Sequence, residues 1–257
     1  MRTFLITSGG TKVRLDEVRH VGNMSSGRFG ADIARAALRA GHYVVFLYAK
    51  GSIRPDQAVL DLDVPYADLL QQVTTVLADQ AFLAGVRDNL NMIEYSDFDD
   101  YAKKLEIWAR DTPDVTILAA AVSDYGMPPT DGKISSDKDE ITFTMTKLPK
   151  LITKIREWAP ETLLVGFKLL VDTTLSAMTE AANKQIKDAG SDFVVANDLR
   201  DIKQGRHTLY VYGKTGAPFV SNTNPAEFLV RFLLQSPAQT PKGVSYPGFS
   251  IQTRDSK

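Results

Sequence analysis

Phe4-Leu5-Ile6-Thr7-Ser8-Gly9-Gly10 opens the stretch that decides the fold, and Tyr43-Val44-Val45-Phe46-Leu47-Tyr48 closes it. The first run reads as a short buried strand broken by two glycines. A polar loop follows and ends at Asn23-Met24-Ser25-Ser26-Gly27. Phe29, Ile33, Ala36, Ala37 and Ala40 then recur at helical spacing, with Gly41 as the C-terminal cap. The closing run is a second apolar strand. Strand, loop, helix and strand in that order predict parallel strands joined by a right-handed crossover.

Outward from there the alternation lapses and resumes. Residues 52–90 read as an insertion that holds one helix, over Tyr66 to Leu83. A short strand over Asn91 to Tyr95 and a helix over Phe98 to Trp108 follow. Val115 to Ala120 is an apolar strand, and residues 126–138 are a loop rich in Pro, Gly, Asp and Ser. Ile141 to Met145 alternates like a half-exposed strand. Leu148, Leu151, Ile152 and Ile155 line one helix, and Leu175, Met178, Ala182 and Ile186 another, with a strand over Leu163 to Phe167 between them. Strands over Phe193 to Ala196 and Thr208 to Tyr212 lead to a last helix, Pro225 to Leu234. The expectation is an α/β fold: one Rossmann-like, doubly wound, mainly parallel sheet over residues 1–235, with a mobile loop and an inserted segment. Residues 236–257 read as a loosely ordered tail or a partner-binding arm. Such sheets bind ligands at the carboxyl ends of their strands.

Composition narrows the classes. A chain of 257 residues with 44% hydrophobic residues can bury a sizeable core. Thirty basic residues against 31 acidic ones leave a formal charge of −1. No global field therefore marks it for nucleic acid or an anionic membrane. There are no cysteines, which excludes disulfides, thiolate metal sites and a cysteine nucleophile. The strand-like start lacks a signal-peptide pattern, and runs such as Ile117 to Val122 are too short to span a bilayer. A cytoplasmic setting is expected.

Several segments carry chemistry. Ser8, Gly9 and Gly10 end the first strand, while Ser25, Ser26 and Gly27 precede the helix. A helix N-terminus with close glycines and a serine cap suits an anion, although the same pattern describes a helix that only packs closely on the sheet. A dinucleotide site would need its glycines directly between strand and helix and an acid after the second strand. Here a loop intervenes, and that strand runs out into Ala49-Lys50. Ala119-Ala120-Ala121-Val122-Ser123-Asp124 offers small residues for a ligand lying on the backbone, with Asp124 as a ribose or metal contact or a plain loop cap. Lys133 sits in the polar loop, and Phe167 ends a strand where it could stack on a base or simply be buried. His20, His42 and His207 have no metal-ligand spacing. There is neither a Walker A sequence nor a G-x-S-x-G elbow.

Taken in order, Thr7 to Thr11, Val18-Arg19, Asn23 to Gly30, Ala119 to Tyr125, Lys133-Ile134, Lys147 to Lys150, Gly166-Phe167 and Ala196-Asn197-Asp198 resemble the phosphopantothenate–cysteine ligase family. The likeness is to free-standing members. Phe46-Leu47-Tyr48 and Trp158-Ala159-Pro160 are similar to eukaryotic-type enzymes, while Gly166 to Asp172 is similar to monofunctional bacterial ones.

The resemblance implies a ligase of coenzyme A biosynthesis, working through an acyl-nucleotide on 4′-phosphopantothenate and L-cysteine. It implies a nucleoside triphosphate and Mg²⁺, with CTP the bacterial choice and ATP the eukaryotic one, and a homodimer. It also implies roles. Asn23 steadies the acyl-nucleotide, Ala120 and Ala121 hold it by their backbone, and Lys133 meets the phosphates. Arg19, Ser8, Gly9, Gly10, Ser25, Ser26 and Gly27 surround the substrates, and Asp124, Pro149, Lys150, Phe167 and Lys184 contact the nucleotide. Two family lysines on the helix after the Gly-Phe strand meet Lys184 and Lys187 here only in shifted register. No metal ligand is assigned. A nucleotide-binding module without turnover and an NAD(P)-dependent reductase are the competing readings.

Overall fold

The computed structural model describes residues 1–57, 65–137 and 139–236. In chain order the elements are β1 (Thr3–Ser8), β2 (Lys12–Arg14), β3 (His20–Gly22), α1 (Arg28–Arg39), β4 (Tyr43–Ala49), α2 (Tyr66–Gly85), β5 (Leu90–Tyr95), α3 (Phe98–Arg110), β6 (Val115–Leu118), β7 (Tyr125–Gly126), β8 (Thr146–Lys147), α4 (Ile155–Trp158), β9 (Leu163–Leu170), α5 (Leu175–Ala189), β10 (Phe193–Asp198), α6 (Leu199–Lys203), β11 (Leu209–Tyr212), β12 (Phe219–Ser221) and α7 (Pro225–Gln235). Among the described residues, eight strands form the central sheet in the order β12-β11-β10-β9-β6-β1-β4-β5. The six strands from β10 to β5 run parallel, and β11 and β12 are antiparallel additions. The winding reverses between β1 and β6, which opens a crevice beyond their carboxyl ends.

The strands are apolar on both faces because both faces are covered. In β1, Phe4 and Ile6 pack with Ala31, Ile33 and Ala37 of α1 and Leu229 and Leu233 of α7. Leu5 points the other way, toward Tyr101 and Leu105 of α3 and Ile155 of α4. Each such side chain contributes about 1.5–3 kcal/mol relative to exposure. Helix α1 lies close to β1 because Gly30 faces Ser8, where an added Cβ would come within 2.7 Å of the Ser8 Cβ. The helix begins on Gly27, in left-handed backbone at φ 78°, rather than on a serine. The Ser26 hydroxyl still accepts from the Arg28 N–H at 3.3 Å.

The segment expected as an insertion carries α2 and forms the crossover between parallel strands β4 and β5. Its entry is tied down by Arg35, whose guanidinium donates to the carbonyls of Pro55, Arg54 and Gln57. The polar loop after β1 holds a short antiparallel hairpin of β2 and β3. Two expectations are corrected. Ile141 to Met145 forms no strand: Ile141 and Phe143 are 44% and 38% exposed, and only Thr146–Lys147 pairs, with Tyr125–Gly126. Alternation predicts a strand only where an edge is free to receive it. The helix expected from Leu148 starts late, as a 3-10 turn over Leu151–Lys154 followed by the single turn of α4. Pro149 disfavours helical backbone at Leu148, whose N–H donates instead to the Asp124 carbonyl at 2.9 Å. The expected tail lies outside the described residues except for Ser236, whose hydroxyl donates to the Phe232 carbonyl. Among the described residues no helix is long and apolar enough to cross a membrane.

Candidate active site

At the reversal point the ends of β1 and β6 are sewn together. The Ala121 N–H donates to the Gly9 carbonyl at 2.8 Å, and the Thr11 N–H donates to the Ala121 carbonyl at 3.0 Å. That carbonyl also accepts from Asn23 Nδ2 at 2.8 Å. The Ser123 N–H donates to the Thr11 hydroxyl, and the Ala120 N–H to the Thr7 hydroxyl, at 2.8 and 3.2 Å. Gly9 adopts left-handed backbone at φ 84°. A Cβ on Gly10 would overlap the Asn23 carbonyl oxygen, so Asn23 can lie over the strand end only because residue 10 is glycine. Asn23, Ala120 and Ala121 are thus brought together from positions about a hundred residues apart. The Ala121 amide group is fully used by this stitching, and its carbonyl holds the Asn23 side chain in place.

Below the crevice, Tyr95 donates to the Ser8 carbonyl at 2.8 Å. Burial raises the Tyr95 phenol and pushes Tyr101 up to about 12, which keeps both neutral as structural donors. Ser8 is itself fully buried, and its hydroxyl donates to the Gly27 carbonyl at 2.9 Å. It serves to lock β1 to the start of α1. The first-turn N–H groups of α1 open beside Ser25 and Ser26, which carries the positive end of a 12-residue helix to the crevice.

A cleft of about 240 Å³ continues along the α3–α5 side, lined by Ala120, Ser123, Asp124, Pro149, Lys150 and Gln185 among others. Lys150 Nζ and Asp124 Oδ1 form an ion pair at 2.6 Å, half-exposed on both sides. Such a pair contributes at most about 1 kcal/mol and is easily opened by a ligand. Lys184 is absent from this lining. It is exposed and pairs with Asp188 at 2.7 Å, a hydrogen bond that raises the lysine and lowers the carboxyl. The neighbouring Gln185 faces the cleft instead, with its amide over Gly166, where any Cβ would collide with it. Phe167 borders the same cleft, but its ring packs on the α1 side, edge-on to Phe29 at 6.0 Å. Phe29 in turn meets His207 at 4.3 Å. Burial lowers the His207 pKa, so the imidazole is neutral at pH 7.

Arg19 and Lys133 belong to a second pair of loops that meet beside the crevice. Arg19 Nη1 donates to Asp16 Oδ2 at 3.1 Å and to the Ile134 carbonyl at 3.2 Å. Lys133 is exposed, with no hydrogen bond or ion pair among the described residues. Asp16 and Gln185 are among the site-forming residues that the sequence motifs passed over. Asp16 sits inside the quoted stretch, but its partner is 118 residues away. Gln185 is one helical position from the lysine that attracted notice. Among the described residues no group of three or more His, Cys, Asp or Glu side chains could hold a metal.

Residues 1–88 and 89–229 match the family described as the DNA/pantothenate metabolism flavoprotein C-terminal domain. Phosphopantothenate–cysteine ligase from Homo sapiens is 32% identical over 227 residues, which cover 77% of this chain and 72% of that one. Phosphopantothenate–cysteine ligase 1 from Arabidopsis thaliana is 31% identical over 228 residues, covering 79% and 71%. The structure of the DNA/pantothenate metabolism flavoprotein from Streptococcus pneumoniae aligns with a TM-score of 0.72 at 26% identity, covering 91% of this chain and 99% of that one. With its doubly wound sheet and the stitching of Gly9 to Ala121 where the winding reverses, this chain belongs to the phosphopantothenate–cysteine ligase family.

Proposed function

We propose that this protein joins 4′-phosphopantothenate to L-cysteine at the β1/β6 crevice, through an acyl-nucleotide, as a step toward coenzyme A. The observation that carries the reading is Asn23, held over Gly10 by its bond to Ala121 at the point where the sheet's winding reverses. In the first half-reaction a carboxylate oxygen of phosphopantothenate attacks the α-phosphorus of the triphosphate. The P–O bond to the β-phosphate breaks and pyrophosphate leaves. In the second, the cysteine amine attacks the acyl carbon, the nucleoside monophosphate leaves with the C–O bond electrons, and the amine gives up a proton.

Two anions must meet in the first half, so fixed positive groups are needed. Arg19, Lys133, Lys150 and the first turn of α1 supply them from separate sides of the crevice. Asn23 steadies the acyl phosphate with its side-chain amide. Asp124 and Lys150 contact the nucleotide after their mutual pair opens. Mg²⁺ carried on the triphosphate would offset its charge. Asp124, whose side chain lines the cleft, is the carboxylate that would meet such an ion beside the phosphates and water.

The test is product analysis with CTP and ATP side by side. Phosphopantothenoylcysteine and pyrophosphate are expected in equal amounts. Nucleotide binding without either product would leave only a binding module. CTP is expected to exceed ATP in kcat/KM by at least roughly tenfold, about 1.4 kcal/mol. Discrimination of that kind needs donors and acceptors against the exocyclic groups of the base, because stacking accepts any base. Equal use of ATP would overturn the cytidine preference alone.

The protein is also expected to act as a homodimer. Ile141 and Phe143, exposed beside β8, are the contact surface we favour. Light scattering at micromolar concentration should give twice the 28.3 kDa chain mass, and a monomer mass would refute it.

A further inference from the structure

Asp16 is 1% exposed, yet it is a carboxylate in a turn near the surface. A buried carboxylate needs compensation, and this one has four bonds. Its Oδ1 accepts from the N–H groups of Val18 and Arg19 at 2.8 and 2.6 Å. Its Oδ2 accepts from Arg19 Nη1 and from the Ile134 N–H, both at 3.1 Å. Burial alone would raise its pKa. The backbone donors of Val18, Ile134 and Arg19, with the Arg19 charge, outweigh that and hold the carboxyl below its ordinary range.

The bonds fall into two sets. One set shapes the turn from Leu15 to Arg19. The other reaches across to the loop that carries Lys133. Around it, the Glu17 N–H donates to the Gly132 carbonyl at 3.1 Å, and the Thr130 N–H donates to the Leu15 carbonyl at 2.8 Å. Lys133 is therefore pinned through the backbone of both neighbours, Gly132 and Ile134, while its own side chain stays exposed. Arg19 is fixed by the same carboxylate.

We propose that Asp16 is a positioning residue for the nucleotide-consuming half-reaction, fixing the Arg19 guanidinium and the Lys133 loop as one unit against the phosphates. The proposal rests on the reaction given above. It adds a residue that touches no substrate and acts through two that do. A single buried acceptor shared by both loops makes the two cations one rigid clamp, and rigid placement is worth much when misplacement by about 1 Å can cost on the order of 10²-fold in rate.

Asp16→Asn tests it, because it keeps the size and removes the charge and one acceptor. In ligand-free protein, amide hydrogen exchange over residues 130–136 should quicken by at least about tenfold, with the core unaffected. Pyrophosphate release should fall by roughly 10- to 100-fold in kcat, with little change in the KM for cysteine. In a Lys133→Gln background the same substitution should cost clearly less than in wild type, because only the Arg19 half of the clamp remains to be lost. Unchanged loop exchange would overturn the proposal, and so would a full, independent loss in the Lys133→Gln background. If Asp16→Asn does not fold, Asp16→Glu keeps the charge and both acceptors but moves them by one methylene, and the same exchange and kinetic outcomes decide. Wild-type protein that releases no pyrophosphate would overturn the reaction itself, and that failure is visible without any variant.

Discussion

Asn23→Asp is expected to lower turnover by on the order of 10²–10³, the loss typical of one donor to a developing oxyanion, or about 2.7–4 kcal/mol. The substitution keeps the shape of the side chain. It removes the Nδ2 donor and sets a negative charge beside the Ala121 carbonyl, where the amide now donates at 2.8 Å. The same charge then faces the acyl phosphate. Because Asn23 is exposed, the lost bond costs the fold only about 0.5–1.5 kcal/mol, and circular dichroism should remain native. Asn23→Ala separates the two effects: it removes the donor without adding charge, so it should be impaired less than Asn23→Asp. Near-native turnover in Asn23→Asp would end the role assigned to this side chain.

Lys133→Gln should reduce pyrophosphate release by about 10²-fold, as expected for one fixed group opposite a charged transition state. It should leave the melting temperature unchanged. Lys133 is exposed and forms no hydrogen bond or ion pair among the described residues, so nothing in the fold depends on its charge. Its neighbours Gly132 and Ile134, by contrast, are bonded to Glu17 and Asp16. The substitution therefore alters the charge without moving the loop. The second half-reaction, started from preformed acyl-nucleotide and cysteine, should be nearly unaffected, because the β- and γ-phosphates have already left. A comparable loss in both halves would mean that Lys133 does not serve the departing pyrophosphate. Adding nucleotide should also protect residues 126–138 from proteolysis, and unchanged cleavage there would count against contact between this loop and the phosphates.

The parallel sheet was legible because its strands are buried on both faces. Phe4 to Thr7 and Tyr43 to Tyr48 read as continuous apolar runs for that reason, and α1 between them shows its period through alanines. The glycines at the end of β1 were legible too: a Cβ on Gly10 would overlap the Asn23 carbonyl oxygen, and one on Gly9 would meet Ala49 and Ser52. Where alternation had no partner, the reading failed, as at Ile141 to Met145. Where proline governed the backbone, the helix came late, as after Pro149. The elements α6 and β12 and the hairpin of β2 and β3 were too short to show a period.

By itself, the sequence determined the order of the elements, the apolar faces that bury them and the set of small and polar residues at the strand ends. Those are local properties, written in spacing and residue size. Only the tertiary structure decided that Gln185 rather than Lys184 faces the cleft, since one position along a helix turns a side chain by about 100°. Only the tertiary structure brought Asp16 to Ile134. Two irregular loops that meet across 118 residues leave no period in either, and their match consists of one buried acceptor and the backbone donors that happen to surround it.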